Sequence, residues 1–268
     1  MQHAPAPPPS RLANLRDLGG IAVEGGRIRP GLVLRSDDVA TTTAEQLADL
    51  VGAGLSTIID LRSAEEARRT GRGPSAGHPV DYLALPLTTD ALGAPTDQAD
   101  KLLASVRTPE HVGRWYAKIF TAQKENLVRG LTAVADAEGT VLFHCAAGKD
   151  RTGLFAAALL SVLGAGPEAI ADDYAKTQAR LPEVYRRMGL TELTGDARIP
   201  ADHPVLAAHP AAMRAMLATL AEGVGDAGGA AGTAGHGGVL AVLRAGGLTS
   251  DVAGRLRGKL VQPVPAQV

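Results

Sequence analysis

One cysteine, Cys145, occurs in the 268-residue chain, and its neighbours decide what it can do. It stands in Val141-Leu142-Phe143-His144-Cys145-Ala146-Ala147-Gly148-Lys149-Asp150-Arg151-Thr152-Gly153, with five residues between the thiol and a guanidinium. An apolar run precedes this segment and a longer one follows it, so the spacing predicts a strand, a seven-residue loop and a helix. A loop closed at a helix N-terminus is an anion cradle. Its backbone N–H groups point inward, the helix dipole adds partial positive charge, and the small residues Ala146, Ala147 and Gly148 let the backbone approach a ligand closely. A thiol at that focus is favoured as the thiolate, which makes Cys145 a nucleophile at neutral pH. Arg151 is planar and offers paired donors that match two equatorial oxygens of a phosphoryl group. Thr152 can donate its hydroxyl toward the sulfur, helping a thiolate leave when a cysteinyl-phosphate is hydrolysed. A lone cysteine is otherwise most often a small buried hydrophobe, and the loop with its arginine overturns that reading here.

The leaving oxygen needs a proton, and three aspartates are candidates. Asp60 ends a predicted parallel strand, where α/β active sites gather; helix capping or pairing with an arginine is its equally weighted alternative. Asp150 lies inside the loop, where a carboxylate repels a phosphate dianion unless it points away or is held protonated, as a general acid must be. Asp90 follows the strand at 80–87 and ranks behind the other two. Lys149 is either an additional cation at the cradle, suited to a substrate with more than one phosphate, or a rim charge. His144 projects to the other side of the strand and is expected to orient the loop by hydrogen bonding. His203 and His209 stand six residues apart in a Pro-rich stretch and do not suggest a metal site. No metal or organic cofactor is expected, and a single cysteine excludes an intramolecular disulfide or a Cys-cluster zinc site.

The elements that must position these groups read as α/β. Thr42 and Glu45 have capping-box spacing and open a helix with Leu47, Leu50 and Val51 on one face, which Gly54 ends. Leu55 to Leu61 is a buried strand, and a second box, Ser63 with Glu66, opens the next helix at once. Val80 to Leu87 and Thr140 to His144 are further strands. Val112, Trp115, Tyr116, Ile119 and Phe120 form a core-facing helical stripe, with the aromatic pair read as core rather than ligand site. Leu154 to Leu163 is apolar nearly all round, which predicts a helix buried in the centre. Residues 167–190 suggest two charged helices, 210–222 another, and 240–260 a return to helix. The expected architecture is one domain over 11–262 with a mostly parallel sheet of about four strands flanked by helices, preceded by a disordered Pro/Ala-rich arm at 1–10 and interrupted by a flexible Gly/Ala loop at 223–238.

Composition narrows the partners. Twenty-seven basic against 28 acidic residues leave a net charge of -1, which removes the basic footprint of a general nucleic-acid binder. The longest apolar stretch is about half of the roughly 20 residues a membrane span needs. The N-terminus has no charged leader followed by an apolar core, so the expected location is the cytoplasm, unless export uses a non-classical route.

The complete run HCAAGKDRTG resembles the signature of the Cys-dependent protein tyrosine phosphatase superfamily: His-Cys, five residues, Arg, Ser/Thr, Gly. Asn14-Leu15-Arg16-Asp17-Leu18-Gly19-Gly20, Arg35-Ser36 and Asp60-Leu61-Arg62-Ser63 resemble its bacterial and fungal branch, which has mycobacterial members active on phosphotyrosine and phosphoinositides. The likeness covers about residues 12 to 260. It implies a phosphatase acting through a cysteinyl-phosphate on phosphotyrosine, with phosphoserine or phosphothreonine as further substrates. Phosphoinositide or inositol phosphate hydrolysis is the alternative, because Lys149 and Asp150 match residue types that two lipid-phosphatase families carry in this loop. A catalytically inactive phosphate-binding module is the remaining rival. The Trp-Pro-Asp tripeptide that usually supplies the acid is absent, while Asp90 lies where dual-specificity members place theirs. The resemblance also implies that 167–190 forms a helical lid, and that Arg16 and Asp17 organise the entrance loop.

Overall fold

A computed structural model describes residues 9–88, 105–189, 202–223 and 237–263. Its strands are β1 (Arg16–Asp17), β2 (Ala22–Val23), β3 (Gly26–Ile28), β4 (Val33–Ser36), β5 (Leu55–Asp60), β6 (Asp81–Ala84), β7 (Thr140–His144) and β8 (Val261–Gln262). The main sheet has the order β1-β4-β7-β5-β6, with β4, β7, β5 and β6 parallel and β1 antiparallel at one edge. The four parallel strands match the sequence expectation. The fifth, β1, is a two-residue strand, too short to show any alternation. A second, three-stranded antiparallel sheet, β2-β3-β8, joins the two ends of the described chain.

The helices are α1 (Ala44–Gly52), α2 (Ala64–Thr70), α3 (Pro109–Ala122), α4 (Lys124–Asp136), α5 (Asp150–Leu163), α6 (Pro167–Ala175), α7 (Leu181–Arg187), α8 (Pro210–Glu222), α9 (Gly237–Ala245) and α10 (Ser250–Leu260). No helix among the described residues is long and apolar enough to cross a membrane. Every residue of β7 is buried, as expected of a central parallel strand covered on both faces. Alternation along it sends Val141 and Phe143 into the larger core with α3, α4 and α5, and Leu142 into a smaller one with Val39, Leu47, Leu55 and Ile58. The centre of the larger core is α5, where Leu154, Phe155, Leu159, Leu160 and Leu163 are fully buried. At roughly 1.5–3 kcal/mol per large apolar side chain, this helix is a principal source of stability. Phe155 meets Phe143 of β7 at 4.8 Å between ring centroids, which fixes the helix against the strand it follows. Because β4, β5 and β7 run parallel, their C-terminal ends bring Ser36, Asp60 and His144 to the same edge of the sheet.

Two local expectations need correction. The first helix is capped by Thr43, whose hydroxyl accepts from the Gln46 amide, not by a Thr42–Glu45 box; Thr42 is buried and donates to the Gln46 side chain at 2.8 Å. The strand expected at 80–87 is regular only over Asp81–Ala84, although the amides of Leu85 and Leu87 still donate to Asp60 O at 2.8 Å and Leu61 O at 3.2 Å. The Ser63–Glu66 box forms with both of its bonds. Residues 1–8 of the Pro/Ala-rich arm and 224–236 of the Gly/Ala-rich loop lie outside the described residues.

Candidate active site

The loop after β7 is held from outside by its carbonyls. Ala146 O accepts from the Asp38 amide at 3.0 Å. Asn14 Nδ2 donates to the oxygens of Ala147 (3.2 Å) and Gly148 (3.0 Å), and Arg35 donates to Gly148 O at 2.9 Å. A peptide's N–H and C=O point in opposite directions, so carbonyls tied outward turn the following amides toward the centre. Gly148 has φ +67°, and a Cβ there would sit 2.5 Å from Ser36 O. Only glycine fits that turn against β4. The segments Asn14-Leu15-Arg16-Asp17 and Arg35-Ser36 therefore build the outer wall of the cradle.

Asp173 on α6 ties that wall together. It is 2 % exposed and accepts from Arg16 Nε at 3.1 Å and from fully buried Arg35 at 2.5 Å. Burial works against its charge, but the two guanidiniums, Arg35 first, hold the carboxyl below the usual range. Arg187 of α7 similarly bonds Asp37 at 2.8 Å, and Asp37 accepts the Asn14 amide at 2.9 Å. The helices at 167–187 are thus pinned to the cradle wall by buried ion pairs. Asp17 accepts from the amides of Gly19 and Gly31, at 2.7 and 2.6 Å, and shapes the turns beside β1.

Cys145 stands at the C-terminal end of the central strand and is 1 % exposed. At the far end of the loop Arg151 is close enough to the sulfur for their charges to interact. Its guanidinium forks onto Glu66, with Nη2 donating to Oε1 at 2.8 Å and Nη1 to Oε2. Burial opposes the charge on Arg151, yet Glu66 and Cys145 raise its proton affinity above the ordinary arginine value. Glu66 Oε2 also accepts the Ser63 amide at 2.7 Å, so the capping box of α2 aims the arginine. Burial would raise the Glu66 carboxyl; the hydrogen bonds from Arg151 pull it down to about 2. Sequence reasoning found Glu66 only as a helix cap and missed this second partner. Thr152 Oγ1 is buried and has no hydrogen-bond partner among the described residues.

The two described candidate acids have different surroundings. Asp60 is 1 % exposed and receives Arg62 Nε at 2.9 Å, Arg62 Nη2 at 2.7 Å and the Tyr82 hydroxyl at 2.6 Å. Despite burial, which acts to raise it, Arg62 with His144 holds this carboxyl at about 2. The same Arg62 bonds Asp38 at 2.8 Å. His144 lies on this side of the loop, its Nδ1 3.1 Å from Cys145 O and its Nε2 3.8 Å from Asp60, and burial lowers its proton affinity. Asp150 opens α5 with 28 % of its side chain exposed, and its Oδ1 accepts a hydrogen bond from the Tyr116 hydroxyl. Lys149 is buried, donates its ammonium to Val205 O, and lies 3.4 Å from Asp150 Oδ1. It is therefore not a rim charge. Asp90 lies outside the described residues. His203 and His209 each accept a backbone amide through Nδ1 at 3.2 Å, from Val205 and Ala211.

A family model described as "Tyrosine phosphatase family" matches residues 8–262. The chain is 31 % identical over 219 residues to a Cupriavidus necator protein named "Putative tyrosine-protein phosphatase", covering 79 % of this chain and 77 % of that one. It is 28 % identical over 199 residues to the "Triple specificity protein phosphatase PtpB" of Mycobacterium tuberculosis, with 65 % and 70 % covered. A "Tyrosine-protein phosphatase" of Nostoc commune shares 29 % over 143 residues, 53 % of this chain and 47 % of the relative. The family match runs through nearly all of the sequence, so the chain belongs to the tyrosine phosphatase family.

Proposed function

We propose that this cysteine-dependent phosphotyrosine phosphatase works with Cys145 as nucleophile, Arg151 as transition-state clamp and Asp150 as general acid. The observation that carries the reading is the inward-turned loop with the lone thiol at one end and the forked guanidinium at the other. Cys145 Sγ attacks phosphorus, the S–P bond forms as the P–O bond to tyrosine breaks, and Asp150 protonates the departing oxygen. The amides of Ala146, Ala147, Gly148 and their neighbours, with Arg151, take up the charge on the equatorial oxygens. Water then attacks the cysteinyl-phosphate, passing its proton to the ionised Asp150. The S–P bond breaks, and Thr152 donates to the departing thiolate.

Asp60 is an unsuitable donor, because a carboxyl paired with a permanent guanidinium and titrating near 2 carries no proton at neutral pH. Its reading as a structural partner of Arg62 fits better. The Lys149 ammonium, committed to Val205 O, supports a role in the cradle wall rather than at a second substrate phosphate. That favours phosphotyrosine over inositol phosphates, although the triple-specificity relative keeps other phosphoproteins among the substrates to be tested.

The test compares leaving groups in the presence of EDTA. Asp150→Asn should slow a phosphotyrosine peptide about a hundredfold and p-nitrophenyl phosphate far less. Asp60→Asn should show no such dependence on the leaving group. A steep dependence in Asp60→Asn or Asp90→Asn, with none in Asp150→Asn, would reassign the acid. A specificity constant higher on inositol lipids than on the peptide would overturn the substrate class.

A further inference from the structure

We infer that Tyr116, backed by Tyr174, is a positioning residue that fixes the orientation of the Asp150 carboxylate; this rests on the reading of Asp150 as the acid. Tyr116 comes from the middle of α3 and Tyr174 from α6, both fully buried, and their rings meet edge to face at 6.1 Å. Their hydroxyls lie 2.9 Å apart, and that of Tyr116 also contacts Asp150 Oδ1. A phenol has one proton to give. Tyr116 gives its own to the carboxylate, so Tyr174 must donate to Tyr116, and the chain of bonds runs one way, from α6 through α3 to the first turn of α5. Burial and the Asp150 charge raise the proton affinity of both phenols above the ordinary range, so both hydroxyls keep their protons at neutral pH.

Two consequences follow. Tyr116 and the Lys149 ammonium both address Oδ1, which leaves Oδ2 to carry the proton delivered to the leaving oxygen. A phenol donates more strongly to a carboxylate than to a carboxylic acid, so loss of the Tyr116 hydroxyl should register in the pH dependence of proton transfer. Among the described residues, the remaining charged or titratable groups that face Asp150 are Arg151 beside it and Tyr185 on α7. Neither makes the directional bond that Tyr116 makes.

The experiment is the pH profile of kcat on a phosphotyrosine peptide for the wild type, Tyr116→Phe, Tyr174→Phe and Asp150→Asn. Phenylalanine keeps the ring packing and removes only the hydroxyl. Tyr116→Phe should move the alkaline limb upward by about one pH unit. Tyr174→Phe, acting through Tyr116, should move it in the same direction by less, while vanadate inhibition of both variants reports an intact cradle. A purely structural role would lower kcat at every pH and leave the limb in place, and that result in both variants overturns the inference. Asp150→Asn distinguishes the two levels. If it abolishes the limb while Tyr116→Phe leaves it unmoved, the tyrosine proposal alone fails; if the limb survives in Asp150→Asn, the acid assignment fails and takes this proposal with it.

Discussion

Replacing Glu66 by Gln isolates one charge at the site. Glutamine keeps an oxygen for the Ser63 amide, so the capping box survives, but it removes the anion on which Arg151 forks. The wild-type carboxyl sits at about 2 against an ordinary 4.5. That difference is worth at most about 3 kcal/mol at neutral pH, and with 25 % of the side chain open to solvent we take about 2 kcal/mol. Because the folded-state value is depressed, this stability is fully present above pH 4.5 and is lost as pH falls through 2. Urea unfolding should therefore find Glu66→Gln about 2 kcal/mol weaker than wild type at pH 7, with the gap closing between pH 4.5 and 2. In parallel, kcat/KM should fall roughly ten- to a hundredfold, since an arginine no longer held by two acceptors spends less time aligned with the phosphoryl oxygens. A stability gap that stays constant from pH 7 down to 2 would refute the electrostatic argument, whatever happened to activity.

Cys145→Ser should abolish turnover while vanadate or phosphate still binds, measured by calorimetry; residual steady turnover would remove the thiol from the mechanism. Gly148→Ala forces a left-handed φ on a residue whose Cβ would meet Ser36 O, and should cost at least about 2 kcal/mol in unfolding experiments as well as most of the activity. Asp173→Asn leaves fully buried Arg35 and partly exposed Arg16 without their anion, for an expected loss of about 3–5 kcal/mol in urea unfolding; a loss under about 1 kcal/mol would mean that the pair is not what anchors α6.

The cradle was legible because its chemistry is local. Strand, loop and helix follow one another within residues 140–163, and both flanking elements are buried on all sides, so they read as continuous apolar runs. What supports the cradle is not local. Glu66 meets Arg151 across 85 positions, Tyr116 meets Asp150 across 34 and Arg35 meets Asp173 across 138. No periodicity encodes such pairs. Tyr116 also illustrates how one residue satisfies two readings: its ring belongs to the apolar stripe of α3, as its spacing predicts, while its hydroxyl reaches out of that stripe to the site. Glu66 does the same with its two carboxylate oxygens, and the capping signal hid the second partner. The edge strand β1 was invisible because two residues have no pattern.

The two aspartates separate by the kind of partner each one has. An acid that must exist both with and without its proton in every cycle cannot be bound to a partner that demands one form. Asp60 is bonded by a guanidinium that never gives up its charge, so protonating it would break a buried ion pair and leave Asp38 as the one anion paired with Arg62 among the described residues. Asp150 is bonded by a neutral phenol, which can donate to one carboxyl oxygen whether or not the other carries a proton. Its nearest cation, Lys149, is shared with the carbonyl of Val205. On the proposed reading the strand end therefore supplies rigidity under His144 and the loop, and proton transfer is assigned to the carboxylate inside the loop, whose hydrogen-bond partner is compatible with either form.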